Sequence, residues 1–155
     1  MNDHDGSIKY LKQKKLMKTL LSLPLFLGVL FFTSSCSKTS TVMLNEKVDT
    51  SAVVKFQGNF MGIGSEQVSG QAKIYLQNGK YYLAFENFST TNGPDLKVYL
   101  SQKAEPFNFI KLGDLKSTNG NQVYNILESL DFTKYKYALI HCERFNHLYG
   151  SAELK

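Results

Sequence analysis

The chain has 155 residues, which is enough for one domain, or for one domain plus a targeting segment. Its formal net charge of +5 is unevenly spread: residues 1–35 hold five lysines and two aspartates, whereas residues 36–155 hold 13 basic and 11 acidic side chains. This balance argues against a nucleic-acid-binding surface on the folded part, so no nucleic-acid partner is expected. Sixteen Phe and Tyr residues after residue 35 exclude a mainly disordered chain, and only two cysteines exclude a disulfide-stapled miniprotein.

Residues 1–35 have the three-part layout of a secretory signal peptide. A basic stretch over residues 12–18 precedes an apolar run over residues 20–32, and small residues follow. The sequence Thr33-Ser34-Ser35-Cys36 resembles the lipobox of bacterial lipoproteins, in which the cysteine receives a diacylglycerol and becomes the mature N-terminus. The resemblance implies that Cys36 is lipidated and that residues 1–35 are removed.

Other interpretations of this end of the chain stay open. In one of them, the segment is an uncleaved signal anchor, although its apolar run is shorter than the roughly 20 residues that a membrane span needs. Alternatively, cleavage occurs near Ser35 and Cys36 is an incidental thiol. Because Met17 offers a second start, residues 1–16 are either an extended basic region or an artefact of start-site choice.

Residues 36–52 are polar and rich in Ser and Thr, which predicts a tether between a lipidated Cys36 and a folded domain. The membrane is then a partner through the lipid. Ser37 follows the cysteine, and by analogy with other two-membrane bacteria it is compatible with sorting to the outer membrane. The predicted location is therefore the bacterial cell envelope, with outer-membrane anchoring.

Residues 53–155 show the period of two that is typical of β-strands. Asn78-Gly79 between two β-rich runs predicts a hairpin, and residues 127–135 have room for one helical turn at most. We predict an all-β domain, a single antiparallel β-sandwich or flattened barrel of seven to eight short strands. The predicted strands cover residues 55–60, 68–76, 80–88, 96–100, 109–112, 122–127, 137–142 and 152–154.

Motifs for phosphate binding, zinc proteolysis or a nucleophile elbow are absent from the sequence. The one chemically suggestive cluster is His141-Cys142-Glu143-Arg144-Phe145-Asn146-His147. A thiolate can be a nucleophile, a redox group or a soft metal ligand, and histidine suits each role as a partner. However, neighbouring residues of a strand point to opposite faces, so His141 and Cys142 would need a bulge to share a metal.

Two interpretations of Cys142 stay open at this point. In the first, it is a redox thiol or a ligand, with His141 and His147 as weak candidates for further metal ligands. In the second, it follows Ala138 and Ile140 on a core-facing stripe and packs as a small hydrophobic residue. An unpaired cysteine in an oxidising compartment needs protection, which burial would supply.

Three stretches after residue 84 form a recognisable pattern, together with Val68-Ser69-Gly70 ahead of them. They are Phe85-Glu86-Asn87-Phe88 leading to Gly93-Pro94-Asp95-Leu96-Lys97-Val98-Tyr99-Leu100-Ser101, then Leu112-Gly113-Asp114-Leu115-Lys116 leading to Gly120-Asn121-Gln122-Val123-Tyr124, and last Ile140-His141-Cys142-Glu143-Arg144-Phe145 leading to Tyr149-Gly150-Ser151-Ala152-Glu153-Leu154. Over about residues 55–155, in unbroken order, the pattern resembles the DM13 family, called the electron-transfer DM13 domain.

The resemblance implies a β-rich extracytoplasmic domain with a redox or electron-transfer role through a characteristic cysteine, matched here by Cys142. That cysteine acts as a bare thiol or as the ligand of a prosthetic group such as haem. Two positions depart from the family: many members have an aromatic residue where His141 stands, and a histidine where Gln67 stands. We therefore hypothesise a lipid-anchored redox domain. The alternative is a non-catalytic envelope binding or structural module with a buried Cys142.

Overall fold

The computed structural model describes residues 43–127 and 129–155, which form nine β-strands and no helix. The predicted all-β class is confirmed. Seven of the strands lie where the sequence predicts them, to within a few residues at each end. The predicted closing strand over residues 152–154 is the end of a longer strand that begins at His147, and the short strand at Leu44–Asn45 was not predicted. The strands are β1 (Leu44–Asn45), β2 (Val53–Gly62), β3 (Val68–Gln77), β4 (Lys80–Thr90), β5 (Leu96–Ser101), β6 (Ile110–Asp114), β7 (Asn119–Ile126), β8 (Tyr137–Cys142) and β9 (His147–Glu153).

The strands form one sheet in the order β1-β7-β4-β3-β2-β9-β8-β5-β6. The ladders among β2 to β9 are antiparallel, while β1 pairs in parallel with β7. Strand β2 joins the two halves of the sheet, because its first part pairs with β3 and its last three residues pair with β9. The sheet curls into a half-barrel, so the predicted sandwich or flattened barrel is realised by a single curled sheet.

The core lies where the two halves of the sheet face each other. Phe60 on β2 makes edge-on contacts with Phe85 and Phe88 of β4, with ring centroids 4.9 and 5.3 Å apart. Alternate residues of β5 and β8, including Val98 and Ile140, enter the same cluster from the other half. The apolar stripes read from the sequence therefore meet in one continuous core.

The outer face of β5 is also buried, because the loop over residues 102–109 folds across it. The hydroxyl of Ser101 donates a hydrogen bond of 2.7 Å to the backbone carbonyl of Glu105, which ties the loop to the strand. Phe109 then stacks on Tyr99 with ring centroids 4.2 Å apart. The loop therefore helps to bury Tyr99 on the outer face of β5.

Two predictions about turns are confirmed. Asn78 and Gly79, at φ of 50° and 74°, form the tight turn between β3 and β4, as an Asn-Gly hairpin requires. After β7, the carbonyl of Asp131 accepts hydrogen bonds from the backbone N–H groups of Lys134 and Tyr135, so the chain makes a single turn there.

The described end of the predicted tether is attached to the domain. Leu44 pairs with Gly120 of β7, and Glu46 accepts hydrogen bonds from the backbone N–H of Val123 at 2.8 Å and from the ammonium of Lys116 at 2.7 Å. The predicted signal segment, Cys36 and residues 37–42 lie outside the described residues. In the part of the chain that is described, no helix has the length and hydropathy needed to cross a membrane.

Candidate functional site

Cys142 is the last residue of β8 and lies fully inside the core. It is 0% exposed and pairs with Leu96 of β5 on one side and with His147 of β9 on the other. Ala138 and Ile140 share its face and its burial. The sulfur therefore lies at the end of the core next to the β8–β9 turn, and it has no contact with solvent in this conformation.

His141 lies on the opposite face of the sheet, as the strand alternation predicts. It pairs with Lys97 of β5 and is 6% exposed, with its ring centroid 5.5 Å from that of Tyr99. Burial lowers the pKa of His141, and a hydrogen bond to the Asn146 side chain offsets this only in part. Its Nδ1 is buried without a hydrogen-bond partner. His141 is therefore a neutral, packed imidazole at neutral pH.

His147 lies on the same face as Cys142, because residues paired across two strands share a face. Its Nε2 is 3.5 Å from Oε1 of Glu66, and its ring meets the Tyr149 ring edge-on at 5.4 Å. Burial, followed by the negative charges of Glu66 and of a Cys142 thiolate, raises the pKa of Tyr149. Cys142, His147, Glu66 and Tyr149 therefore form one group at this end of the core, with the imidazole about half exposed.

Gln67, one of the two positions that depart from the resemblance seen in the sequence, lies next to this group. Its backbone N–H donates to Oγ1 of Thr91 at 2.9 Å, and the preceding residue, Glu66, is the one that contacts His147. The end of the core near Cys142 thus keeps one imidazole, supplied by β9. The sequence did not reveal this neighbourhood, because Glu66 and His147 are 81 positions apart.

A network of charged and phenolic groups covers the outer face near His141. The Tyr99 hydroxyl donates to Oε1 of Glu143 at 2.6 Å, and the ammonium of Lys111 contacts both oxygens of Glu143 at 2.9 and 3.0 Å. The hydrogen bond from Tyr99, and after it the one from Lys111, lower the pKa of Glu143. The sequence does not predict this network, because its members come from three separate segments.

Lys97 extends the network toward the turn before β5. Its ammonium lies 2.6 Å from carboxylate oxygens of both Asp95 and Asp114, although the residue is only 9% exposed. Hydrogen bonds to Asp114, and then to Asp95, raise the pKa of Lys97. This lysine is paired twice and stays charged, so its role here is to hold the turn and β6 against β5.

The candidate metal ligands do not come together. Cys142 and His147 lie on one face of the sheet, whereas His141 lies on the other. Among the described residues, no group of three or more His, Cys, Asp and Glu side chains could hold a metal ion. A haem or a metal on Cys142 would also need an open side at the sulfur, and the sulfur is enclosed by the core. The residues present therefore do not fit such a group.

Fold and site together define an all-β domain with a single buried thiol at the end of a central strand. The sequence model of the family described as Electron transfer DM13 matches residues 60–154, which is more than half of the chain. The chain therefore belongs to the DM13 family. Neither the comparison with curated proteins nor that with solved structures returned a match.

Proposed function

We propose that this protein is a lipid-anchored electron-transfer module of the bacterial cell envelope, with Cys142 as its redox group. The observation that carries the proposal is the family match, whose span includes Cys142 and the residues around it. The described chain contains no other cysteine, so a disulfide within the domain is not available as the redox couple. Cys142 would exchange single electrons, or it would form a disulfide with a thiol from outside.

Burial favours the single-electron route. Nucleophilic attack or disulfide exchange requires the thiolate to meet its partner directly, and Cys142 is 0% exposed. An electron, in contrast, can pass through a few ångströms of packed protein. In the step we propose, an external one-electron oxidant removes an electron from the thiol, the S–H bond breaks, and the proton leaves toward His147. The product is a neutral sulfur radical, which returns to the thiol when it gains one electron from an external donor and the proton comes back from His147.

The lipid anchor is the second part of the proposal. Cys36 follows a basic and apolar segment, and lipidation there would hold the domain at a membrane surface, with outer-membrane sorting suggested by Ser37. Cys36→Ala should accumulate unprocessed precursor, as seen by its larger mass on immunoblots of cell fractions. Normal processing and membrane retention of this variant would contradict lipidation.

A non-catalytic envelope module is the second candidate, and one observation favours it. Cys142 belongs to the same buried cluster as Ala138, Ile140 and Leu96, which is how a purely structural cysteine packs. In that case the protein would bind a partner through its exposed loops and the thiol would have no redox role.

Voltammetry separates the two candidates. Protein purified from its native envelope is adsorbed on an electrode and compared with Cys142→Ala, after absorbance spectra have shown whether either carries a coloured group. The redox proposal expects a current in the wild type that is lost in Cys142→Ala, while folding is retained. Equal currents in both proteins, or none in either, would favour the structural module.

A further inference from the structure

We propose that Tyr99 is a redox-active tyrosine that passes single electrons between the protein surface and Cys142. The inference rests on the proposed one-electron role of Cys142 and assigns a second redox residue to the domain. Three features of the structure carry it: an aromatic contact that reaches the surface, an aromatic contact that leads toward Cys142, and a carboxylate placed to take the phenolic proton.

The first feature connects Tyr99 to the surface. Tyr99 is 2% exposed, but its ring is stacked on that of Phe109 at a centroid distance of 4.2 Å and an interplanar angle of 18°. Phe109 is 43% exposed, in the loop that covers the outer face of β5. A one-electron oxidant that docks on Phe109 is therefore separated from Tyr99 by a single aromatic ring.

The second feature leads inward. On β8, the His141 ring lies 5.5 Å from Tyr99, at an interplanar angle of 30°. His141 is bonded through the backbone to Cys142, whose side chain is on the core side of the same strand. Because burial lowers the pKa of His141, the imidazole between them is neutral and adds no charge that would oppose oxidation of its neighbours.

The third feature is a carboxylate that can accept the phenolic proton of Tyr99. Burial, and next the hydrogen bond to Glu143, raise the pKa of Tyr99, so the phenol is protonated in neutral solution. Removing an electron from a buried phenol leaves a positive charge unless the proton moves at the same time. The Glu143 oxygen at 2.6 Å is in place to accept this proton, and Lys111 holds the carboxylate from the other side. The product is a neutral tyrosine radical.

The transfer of one electron from Cys142 to the oxidant takes two steps. An external one-electron oxidant at Phe109 takes one electron from Tyr99, the phenolic O–H bond breaks and Glu143 gains the proton. The Cys142 thiol next gives one electron to the Tyr99 radical, the phenolic O–H bond re-forms with the proton of Glu143, and the thiol proton leaves toward His147. One electron has then moved from Cys142 to the oxidant, and Tyr99 is restored.

The protein contains its own matched control. Tyr75 on β3 also donates its hydroxyl to a carboxylate, that of Glu86, at 2.5 Å. Its strand is three places from β8 in the sheet, so Tyr75 has the proton acceptor but does not lie on a strand that neighbours β8. If a phenol–carboxylate pair were enough for radical formation, both tyrosines would form radicals equally. If a place beside β8 is also needed, Tyr99 should form the radical and Tyr75 should not.

The test is one-electron oxidation of the full-length protein by a photogenerated ruthenium(III) polypyridyl complex, with freeze-quenched samples read by electron paramagnetic resonance. We expect a tyrosine radical signal that falls several-fold in Tyr99→Phe, falls in Glu143→Gln and is unchanged in Tyr75→Phe. Circular dichroism confirms that each variant is folded. Wild-type signal in Tyr99→Phe, or an equal fall in Tyr75→Phe, would overturn the assignment.

Oxidation of Cys142→Ala separates this inference from the proposed function. If Tyr99 relays to Cys142, its radical should persist several-fold longer when the thiol is replaced, because nothing re-reduces it. An equal lifetime with and without the thiol would overturn the relay. If a sulfur radical forms on Cys142 as readily in Tyr99→Phe as in the wild type, the relay is wrong while the redox role of Cys142 stands.

Discussion

The hydroxyl of Tyr149 occupies the space that a side chain at Gly93 would need. A Cβ atom built on Gly93 would lie 2.7 Å from the Tyr149 hydroxyl oxygen and 2.7 Å from Cδ2 of Leu96, well inside van der Waals contact. The glycine of the Gly93-Pro94-Asp95 turn is thus required by close packing, and it lets Tyr149 lie over the end of the core beside Cys142.

Gly93→Ala should destabilise the domain by about 1–3 kcal/mol, the usual cost of overpacking a well-packed site. Urea unfolding followed by circular dichroism measures the change. The double variant Gly93→Ala/Tyr149→Phe should recover part of the loss, because it removes the oxygen that the new methyl group meets. A Gly93→Ala protein as stable as the wild type would contradict the contact.

Cys142 should be chemically protected in the folded protein. In the chain from residue 43 onward, where it is the only cysteine, a thiol reagent should label it slowly in native buffer and quickly in denaturant. Cys142→Ser should lose about 1–3 kcal/mol of stability, because it buries an unpaired hydroxyl. Cys142→Ala should stay within about 1–2 kcal/mol of the wild type. Fast labelling of the folded domain would contradict the burial of the thiol.

Glu143 should make stability depend on acid pH. The hydrogen bond from Tyr99, and then that from Lys111, hold the pKa of Glu143 below its usual value of 4.5 in the folded state. The contribution is therefore complete above pH 4.5 and is lost as the pH falls below it, because the unfolded chain takes up the proton first.

Glu143→Gln should accordingly lose less stability than the wild type as the pH falls from neutral to below 4.5, the usual pKa of the carboxyl group. Urea unfolding at several pH values gives the two slopes. Glu105→Gln is a suitable control, since Glu105 lies in the exposed β5–β6 loop. Identical acid slopes for Glu143→Gln and the wild type would show that the network is not formed in solution.

Strand β1 should add stability without being required for folding. A chain that starts at Ser51 should give a nearly all-β circular dichroism spectrum, and a helix content above roughly a third, the level of an average globular domain, would contradict the fold. It should also be about 1–2 kcal/mol less stable than a chain that starts at Met43, because it loses the hydrogen bonds of Glu46 to Val123 and Lys116. Equal stability of the two chains would mean that β1 is not attached in solution.

The strands and the burial of Cys142 could be predicted because both depend on local patterns. The alternation of Ala138, Ile140 and Cys142 places the thiol on the core face of β8. Asn78-Gly79 predicts the β3–β4 hairpin from the turn residues alone. These predictions agree with the structure because period-two patterning and turn chemistry each depend on only a few neighbouring residues.

The surroundings of the site could not be predicted, because they depend on long-range pairing. Tyr99 and Glu143 are 44 positions apart, and Lys111 and Glu143 are 32 apart. They meet only because β6, β5 and β8 are neighbours in the sheet, an order that the strand patterns leave undetermined. The two residues of β1 are likewise too few for a periodic pattern, and their pairing follows from the approach of Leu44 to Gly120.

The most direct test of the redox role is to detect the radical on Cys142 itself, without a reagent that must reach the buried sulfur. The full-length protein, with and without deuterium at its cysteine β-carbons, is oxidised one electron at a time by a photogenerated ruthenium(III) polypyridyl complex, freeze-quenched and read by electron paramagnetic resonance. We expect a sulfur-radical signal whose hyperfine splitting changes on deuteration and that is absent from Cys142→Ala. Signals confined to tyrosine radicals, with no component that responds to cysteine deuteration, would contradict an electron-transfer role for this thiol.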